Sequence, residues 1–255
     1  MPGPIGVLYP GHSAEDDYRE LEIRLGGGPR FVVQHTVMLE DAHRVDALLD
    51  WGRADRLADG ARALAPHRPS AVVWACTSGS FAYGWNGAHE QAAGLTAATG
   101  VPASSTSLAF VTAVRALGCS AVAVVATYPD DVARLFASFL KSGGVRVTSL
   151  RSHGIVMAAE VGTVAGPEVL AIATSGDDPD AEAVLLPDTA LHTIAYLEAL
   201  ERAVGKPVLT ANQVSAWEGL RLAGHRRAHP GLGALFAGTS RTDRPLFRED
   251  SWGER

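Results

Sequence analysis

The 255-residue chain reads as an α/β protein of two pseudo-symmetric lobes, each a mostly parallel sheet flanked by helices, with its site in the cleft between them. Two observations predict this. Strand-like and helix-like stretches alternate along the chain, the pattern of parallel sheets covered by helices on both faces. Three segments also recur in the same order. LYP at 8–10, followed by an acidic helix start, returns as TYP at 127–129, again followed by one. VVWACTS at 72–78 resembles AVLLPDT at 183–189. PASSTSLAFVTAVRALG from Pro102 resembles PVLTANQVSAWEGLRLAG from Pro207. Each pair is weak alone, but the shared order makes two similar lobes the simplest account.

Taken in order, residues 5–9 read as a first strand, stopped by Pro10-Gly11. Ser13 can cap a short helix with Glu15, Asp16 and Asp17 in its first turn, broken by the glycines at 26–28. Residues 30–39 read as the second strand. Val45, Leu48, Leu49 and Leu57 give 40–64 the spacing of one long helix. Residues 71–75, short, apolar and β-branched, read as a buried strand with Cys76 at its end. A helix at 81–99 follows, then a brief strand at 101–103 and a helix at 106–117 closed by Gly118. Residues 121–127 are a strongly apolar strand. The helix at 130–141 starts on Asp130 and Asp131 and ends on Lys141, as the dipole prefers. Strands at 145–150, 183–186 and 208–210 alternate with helices at 167–174, 189–204 and 214–223. Residues 231–236 form a last short element within a tail, 225–255, richer in Arg, Gly and Pro. The repeat divides the chain into a first lobe of 1–118 plus about 211–240, a second lobe of 119–210, and a C-terminal extension at 241–255.

Composition narrows the classes. With 47% hydrophobic residues the chain can bury a sizeable core, and a net charge of −6 argues against nucleic acid as its main partner. Two cysteines, Cys76 and Cys119, form neither a disulfide framework nor a zinc pattern, which suits a reducing compartment. The opening MPGPIGVLYPGHS lacks the basic start and apolar core of a signal peptide, and no apolar run approaches the roughly 20 residues of a membrane span. A soluble cytoplasmic protein is expected, without nucleic-acid or membrane partners; a homo-oligomer is left open. His225 and His229 stand four apart, but the glutamate of HExxH is absent, so they read as surface residues and no metal is expected. Gly231-Leu-Gly233 lacks a third glycine, and neither GxxxxGK[ST] nor GxSxG occurs, so no nucleotide cofactor and no serine hydrolase is expected.

The chemistry concentrates at 70–84, SAVVWACTSGSFAYG. Cys76 sits at a strand's carboxyl end, where open α/β sheets bind ligands. The helix start beside it favours anions and lowers a thiol's pKa. A small buried core cysteine is the plain alternative. The repeat pairs Cys76 with Asp188, Tyr9 with Tyr128 and Thr77 with Thr189. A pseudo-twofold axis would set Cys76 and Asp188 on opposite sides of a substrate, able to do acid–base work on both faces of one carbon. Cys76 can also attack covalently. The plain alternatives are a helix N-cap for Asp188 and packing for Tyr128. Thr77, Ser78, Tyr128 and the backbone N–H groups of the turn can bind a carboxylate or an enediolate. Ser104, Ser105 and Thr106, at another strand end, can add donors or cap the following helix. Phe81, Tyr83 and Trp85 read as core more than pocket. Cys119 follows Gly118 at a strand start, away from the cleft.

These residues resemble the aspartate/glutamate racemase superfamily, and within it the branch of maleate cis–trans isomerases and arylmalonate decarboxylases. The likeness runs to about Gly224. ACTSGSFAYG is similar to the isomerase motif around the nucleophilic cysteine. VVATYP resembles the segment carrying a substrate-contacting tyrosine, which falls on Tyr128, and SAWEGLRLAG resembles the last core helix. The resemblance implies two pseudo-symmetric α/β lobes with the site between them. One departure matters: isomerases and racemases carry a second cysteine where this chain has Asp188, and the decarboxylase keeps that cysteine but has glycine in the first position. An asparagine expected after the strand at 145–150 is also missing from GIVMAAEVG, so maleate is not fixed as the substrate.

What the resemblance implies first is a cofactor-independent isomerase of a small unsaturated (di)carboxylic acid. The Cys76 thiolate adds to the alkene, the bond rotates, and a protonated Asp188 supplies the proton. Tyr9, Thr77, Ser78, Ser105, Tyr128 and Thr189 are the expected substrate-binding residues. An ionised Asp188 would repel a dicarboxylate. Decarboxylation of a malonate-type acid comes second, because it needs one proton donor, Cys76. A racemase and a non-catalytic carboxylate-binding protein follow.

Overall fold

A computed structural model describes residues 3–11, 13–176, 178–225 and 227–238. The first half holds β1 (Ile5–Pro10), α1 (Asp17–Arg24), β2 (Phe31–Thr36), α2 (Val45–Trp51), α3 (Ala54–Leu64), β3 (Ala71–Trp74), α4 (Ser78–Phe81), α5 (Gly84–Thr99), β4 (Ala103–Ser105) and α6 (Thr106–Ala116). The second holds β5 (Ala121–Ala126), α7 (Asp130–Ser142), β6 (Arg146–Ser152), α8 (Ala158–Val161), α9 (Gly166–Ser175), β7 (Ala183–Leu186), α10 (Leu197–Val204), β8 (Val208–Thr210), α11 (Ala211–Leu222) and α12 (Ala234–Ala237).

The strands form two sheets in the orders β2-β1-β3-β4 and β6-β5-β7-β8, parallel throughout. Adding four to each strand number converts the first order into the second, so the sequence recurrence is a recurrence of topology. The central strands β1, β3, β5 and β7 are buried along their whole length, as strands covered by helices on both faces must be. One core cluster runs through both sheets, joining Ile5 and Val72 to Val122, Leu185 and Leu209. A second lies on the other face of the second sheet, where Val125 and Val184 meet Ile172 and Leu200. The helices after the edge strands β4 and β8, α6 and α11, pack on one another, and Thr106 and Ser215 share a 2.6 Å hydrogen bond between them. Among the described residues no helix is long and apolar enough to cross a membrane.

The departures from expectation have physical causes. The second strand stops at Thr36 because its last register partner is Pro10, where β1 ends. The helix expected over 40–64 is a loop to Arg44 followed by α2 and α3, with Gly52 between them. A Cβ on Gly52 would lie 2.2 Å from the Gly79 carbonyl oxygen, so this junction is pressed onto the turn after Cys76. The helix expected over 81–99 is split at Gly84, whose φ of +69° is left-handed. The helix expected from 189 begins at Leu197. The Thr189 carbonyl accepts instead from Tyr9 and Asn212, and that of Ala190 from Ser13. Ser13 is therefore occupied across the molecule and does not cap α1, where Asp16 holds the cap position. The last long helix begins at Ala211 rather than 214, because Gln213 reaches back to the Thr210 N–H at 3.2 Å. His225 and His229 are half-buried, and the backbone N–H of His229 donates to the Phe236 carbonyl at 2.8 Å. The extension expected at 241–255 lies outside the described residues.

Candidate active site

Two residues past the end of β3 stands Cys76, and two past the end of β7 stands Asp188. Tyr9 lies within β1, and Tyr128 two residues past β5. The four strand ends bring these side chains together at one end of the two sheets. Cys119 precedes β5 and so lies at the opposite end of that strand.

Cys76 is 1% exposed. The Gly79 N–H donates to its Sγ at 3.2 Å, and the Ser78 hydroxyl lies 3.7 Å away. A Cβ at position 79 would sit 3.0 Å from the sulfur, so glycine is what lets the turn close around it. The expected lowering of the thiol pKa by a helix start is reversed. Burial pushes Cys76 up to about 12 and the nearby Asp188 adds to the rise, against the opposing pull of the Gly79 N–H and Ser78. The helix that begins here, α4, has four residues, too few to outweigh desolvation. Burial therefore favours the neutral thiol at Cys76.

Asp188 is 4% exposed. Its Oδ1 accepts the Ala190 N–H at 2.9 Å and its Oδ2 accepts the Thr127 hydroxyl. With the next α-helix starting only at Leu197, it is not a helix cap; its carboxylate closes a turn and ties the end of β7 to that of β5. Its charge helps raise Tyr9 and Tyr128, both held well above the ordinary phenol range chiefly by burial. Tyr9 donates to the Thr189 carbonyl at 2.7 Å and accepts the Ala14 N–H at 3.1 Å. Tyr128 donates to the Pro187 carbonyl at 2.8 Å. Both phenols therefore hold residues 187–189 in place across the cleft. The Thr77 hydroxyl lies close enough to Tyr128 to favour its phenolate, yet not in hydrogen-bond geometry, and Thr77 Oγ1 is a buried oxygen without a hydrogen-bond partner.

Other expected residues fall into structural roles. Ser105 caps α6 through the Leu108 N–H at 3.5 Å and bonds Ser80 at 2.6 Å. Thr106 is bound to Ser215. Phe81 packs on Tyr128 and Phe136, and Trp85 on Phe139. Thr189 presents its carbonyl to Tyr9 and Asn212.

One residue at this site is invisible to the sequence reading. His43, 3% exposed, stands with its ring centroid 4.8 Å from that of Tyr128 and its Nε2 4.0 Å from Asp188 Oδ2. It belongs to the loop at 37–44, which the helical spacing of 40–64 hides. That loop is clipped to the loop after β6. The His43 N–H bonds the Val156 carbonyl at 2.6 Å, and Asp41 accepts the Ala158 and Ala159 N–H groups at 2.8 and 2.9 Å. The two loops follow the equivalent edge strands β2 and β6 and meet over the site.

Comparison with known proteins bears on the family and the fold. Residues 52–236 match the family model described as arylmalonate decarboxylase. Arylmalonate decarboxylase of Bordetella bronchiseptica is 33% identical over 142 residues, 54% of this chain and 59% of that protein. Maleate isomerase of Nocardia farcinica is 30% identical over 129 residues, 50% of this chain and 51% of that protein. The aligned stretches thus span between half and three-fifths of these curated relatives. A solved structure of arylmalonate decarboxylase, a double mutant with one glycine changed to cysteine and one cysteine to serine, in liganded form, superposes with a TM-score of 0.82 at 27% identity, covering 94% of this chain and 100% of that one.

Proposed function

Because the chain belongs to the arylmalonate decarboxylase family, within the Asp/Glu racemase-like superfamily, we propose that it is a cofactor-independent enzyme that decarboxylates a small malonate-type acid, with Cys76 as the proton donor. The observation that carries this reading is the state of Cys76: a buried thiol with an N–H already aimed at its sulfur. One substrate carboxylate lies in the turn after Cys76, where the buried Thr77 hydroxyl has no partner and the Gly79 N–H is kept for the sulfur. The other leaves as carbon dioxide, and the bonding pair moves onto the remaining carboxylate as an enediolate. Donors placed where that charge develops are worth roughly 3 kcal/mol each. Cys76 gives its proton to the α-carbon from one face. The thiolate left behind is held by the Gly79 N–H until solvent returns a proton.

Cis–trans isomerisation of an unsaturated acid is the second reading, favoured by the same N–H···S contact and by the maleate isomerase relative. It ranks behind because it starts from a thiolate and needs an acid opposite Cys76, where both Asp188 oxygens accept hydrogen bonds. The test is turnover of phenylmalonate, methylphenylmalonate and maleate in D₂O. A decarboxylase releases carbon dioxide, places one deuterium on one face of the product, and loses activity in Cys76→Ala. Fumarate from maleate with no carbon dioxide from either malonate would replace this reading by the second. No turnover of any acid would overturn both.

A further inference from the structure

We propose that His43 is the counter-charge of the site: its Nε2 faces Asp188 in a buried pair that takes up one proton from solvent when a carboxylate ligand enters. The proposal begins with a tautomer. His43 Nδ1 lies 3.1 Å from the Ile155 carbonyl oxygen, which can only accept, so Nδ1 carries a hydrogen. Nε2 is therefore the nitrogen able to gain or lose a proton, and it is the one aimed at Asp188 Oδ2, 4.0 Å away, with the two side chains 2% and 4% exposed. At that separation the contact is electrostatic rather than a hydrogen bond.

Among the described residues, the groups facing His43 are few. From the turn after β7 comes Asp188, and from the turn after β5 comes Tyr128, a phenol held neutral by burial. From α2 comes Trp51, with ring centroids 6.1 Å apart, and from the loop after β6 the Ile155 and Val156 carbonyls. On its own loop, Asp41 is committed to the Ala158 and Ala159 amides, and Arg44 to Glu40 and Asp46 at the surface. Among the described residues that face the ring, an imidazolium is the one positive charge available to Asp188. A carboxylate ligand bound beside Cys76 adds a second negative charge in low dielectric, which favours the charged form of a neighbouring imidazole. Cys76 and Tyr128 already hold their protons, so neither can be the acceptor. His43 acts on the ligand through Asp188 and is thus a positioning residue, supplied by a loop that closes over the cleft.

The inference rests on the cleft being a carboxylate site and not on which reaction follows, so its test uses ligands that need not react. Phenylacetate, malonate and succinate are titrated calorimetrically over a series of pH values, each in two buffers of different ionisation enthalpy. Wild type is expected to take up protons on binding, with a maximum at one pH of the series. His43→Asn keeps an N–H for the Ile155 carbonyl but has no titrating nitrogen. It is expected to take up none and to bind at least about tenfold more weakly, the lower end of what an opposite charge at this range contributes. Binding by wild type without proton uptake overturns the inference, whether or not the variant folds. Uptake unchanged in His43→Asn also overturns it, since Asp188 would then be the acceptor. Failure of all three acids to bind at millimolar concentration overturns the carboxylate reading itself, and this inference with it.

Discussion

Thr77→Val separates a hydroxyl kept for a ligand from one kept for the fold. Thr77 is fully buried and stands at the N-cap position of α4, yet its side chain caps nothing and its Oγ1 has no hydrogen-bond partner. Burying such a hydroxyl costs roughly 1–3 kcal/mol. Valine keeps the β-branched shape and removes the cost. The Thr77 carbonyl, which accepts the Ser107 hydroxyl at 2.8 Å, is untouched. The variant should therefore be as stable as the parent or more so, by about 1–2 kcal/mol, a gain of ~2–8 °C in Tm at the ~2–4 °C per kcal/mol expected of a chain this size. If the same hydroxyl meets the enediolate, kcat should fall roughly 10²–10³-fold, as for loss of one oxyanion donor. Scanning calorimetry and initial-rate kinetics on one preparation read both. A variant less stable by more than about 1 kcal/mol with kcat intact would show that the hydroxyl serves packing, and the assignment of this turn as the carboxylate cradle would fall.

Two further perturbations test the frame around the site. Gly52→Ala places a Cβ against the Gly79 carbonyl, so the turn holding Cys76 must shift; we expect a loss of about 1–3 kcal/mol in urea unfolding together with a fall in kcat, and a fully active, equally stable variant would refute the close contact. Asp17→Asn tests the joint between the two sheets, where buried Asp17 accepts from Asn212 at 3.0 Å and from the Thr193 N–H at 3.1 Å. Burial lifts the Asp17 carboxyl from 3.8 to about 6, so between those values the folded chain holds a proton that the unfolded chain has released. Stability then falls as pH rises through that window and is level above it, by up to ~3 kcal/mol. Asparagine should flatten this segment and gain about 1–3 kcal/mol at neutral pH, and parallel stability–pH curves for the two proteins would contradict the sign.

Much of the site was legible because it hangs on strand ends. Ala71–Trp74 and Ala183–Leu186 are short apolar runs that can only be buried strands, and each leaves its polar residue two positions beyond. Cys76 and Asp188 therefore became neighbours by repeat logic alone. The state of Cys76 was not legible. A helix start in the sequence suggests a depressed thiol, but its effect depends on helix length and on how completely the sulfur is desolvated, and both went the other way. Nor was the turn at 187–193, since helical spacing there is overridden by carbonyls that bond Tyr9, Ser13 and Asn212.

By itself the sequence determined the two-sheet repeat, the placing of Cys76, Tyr128 and Asp188 at strand ends, and the family, because alternation and repetition are local patterns that survive without coordinates. Tertiary structure decided His43. Its loop lies inside a stretch whose apolar spacing reads as helix, and the bond that fixes its ring goes to Ile155, 112 residues later in the chain. A contact between two loops on different sheets leaves no periodicity to read. It exists only once the edge strands β2 and β6 have been brought to the same end of the molecule.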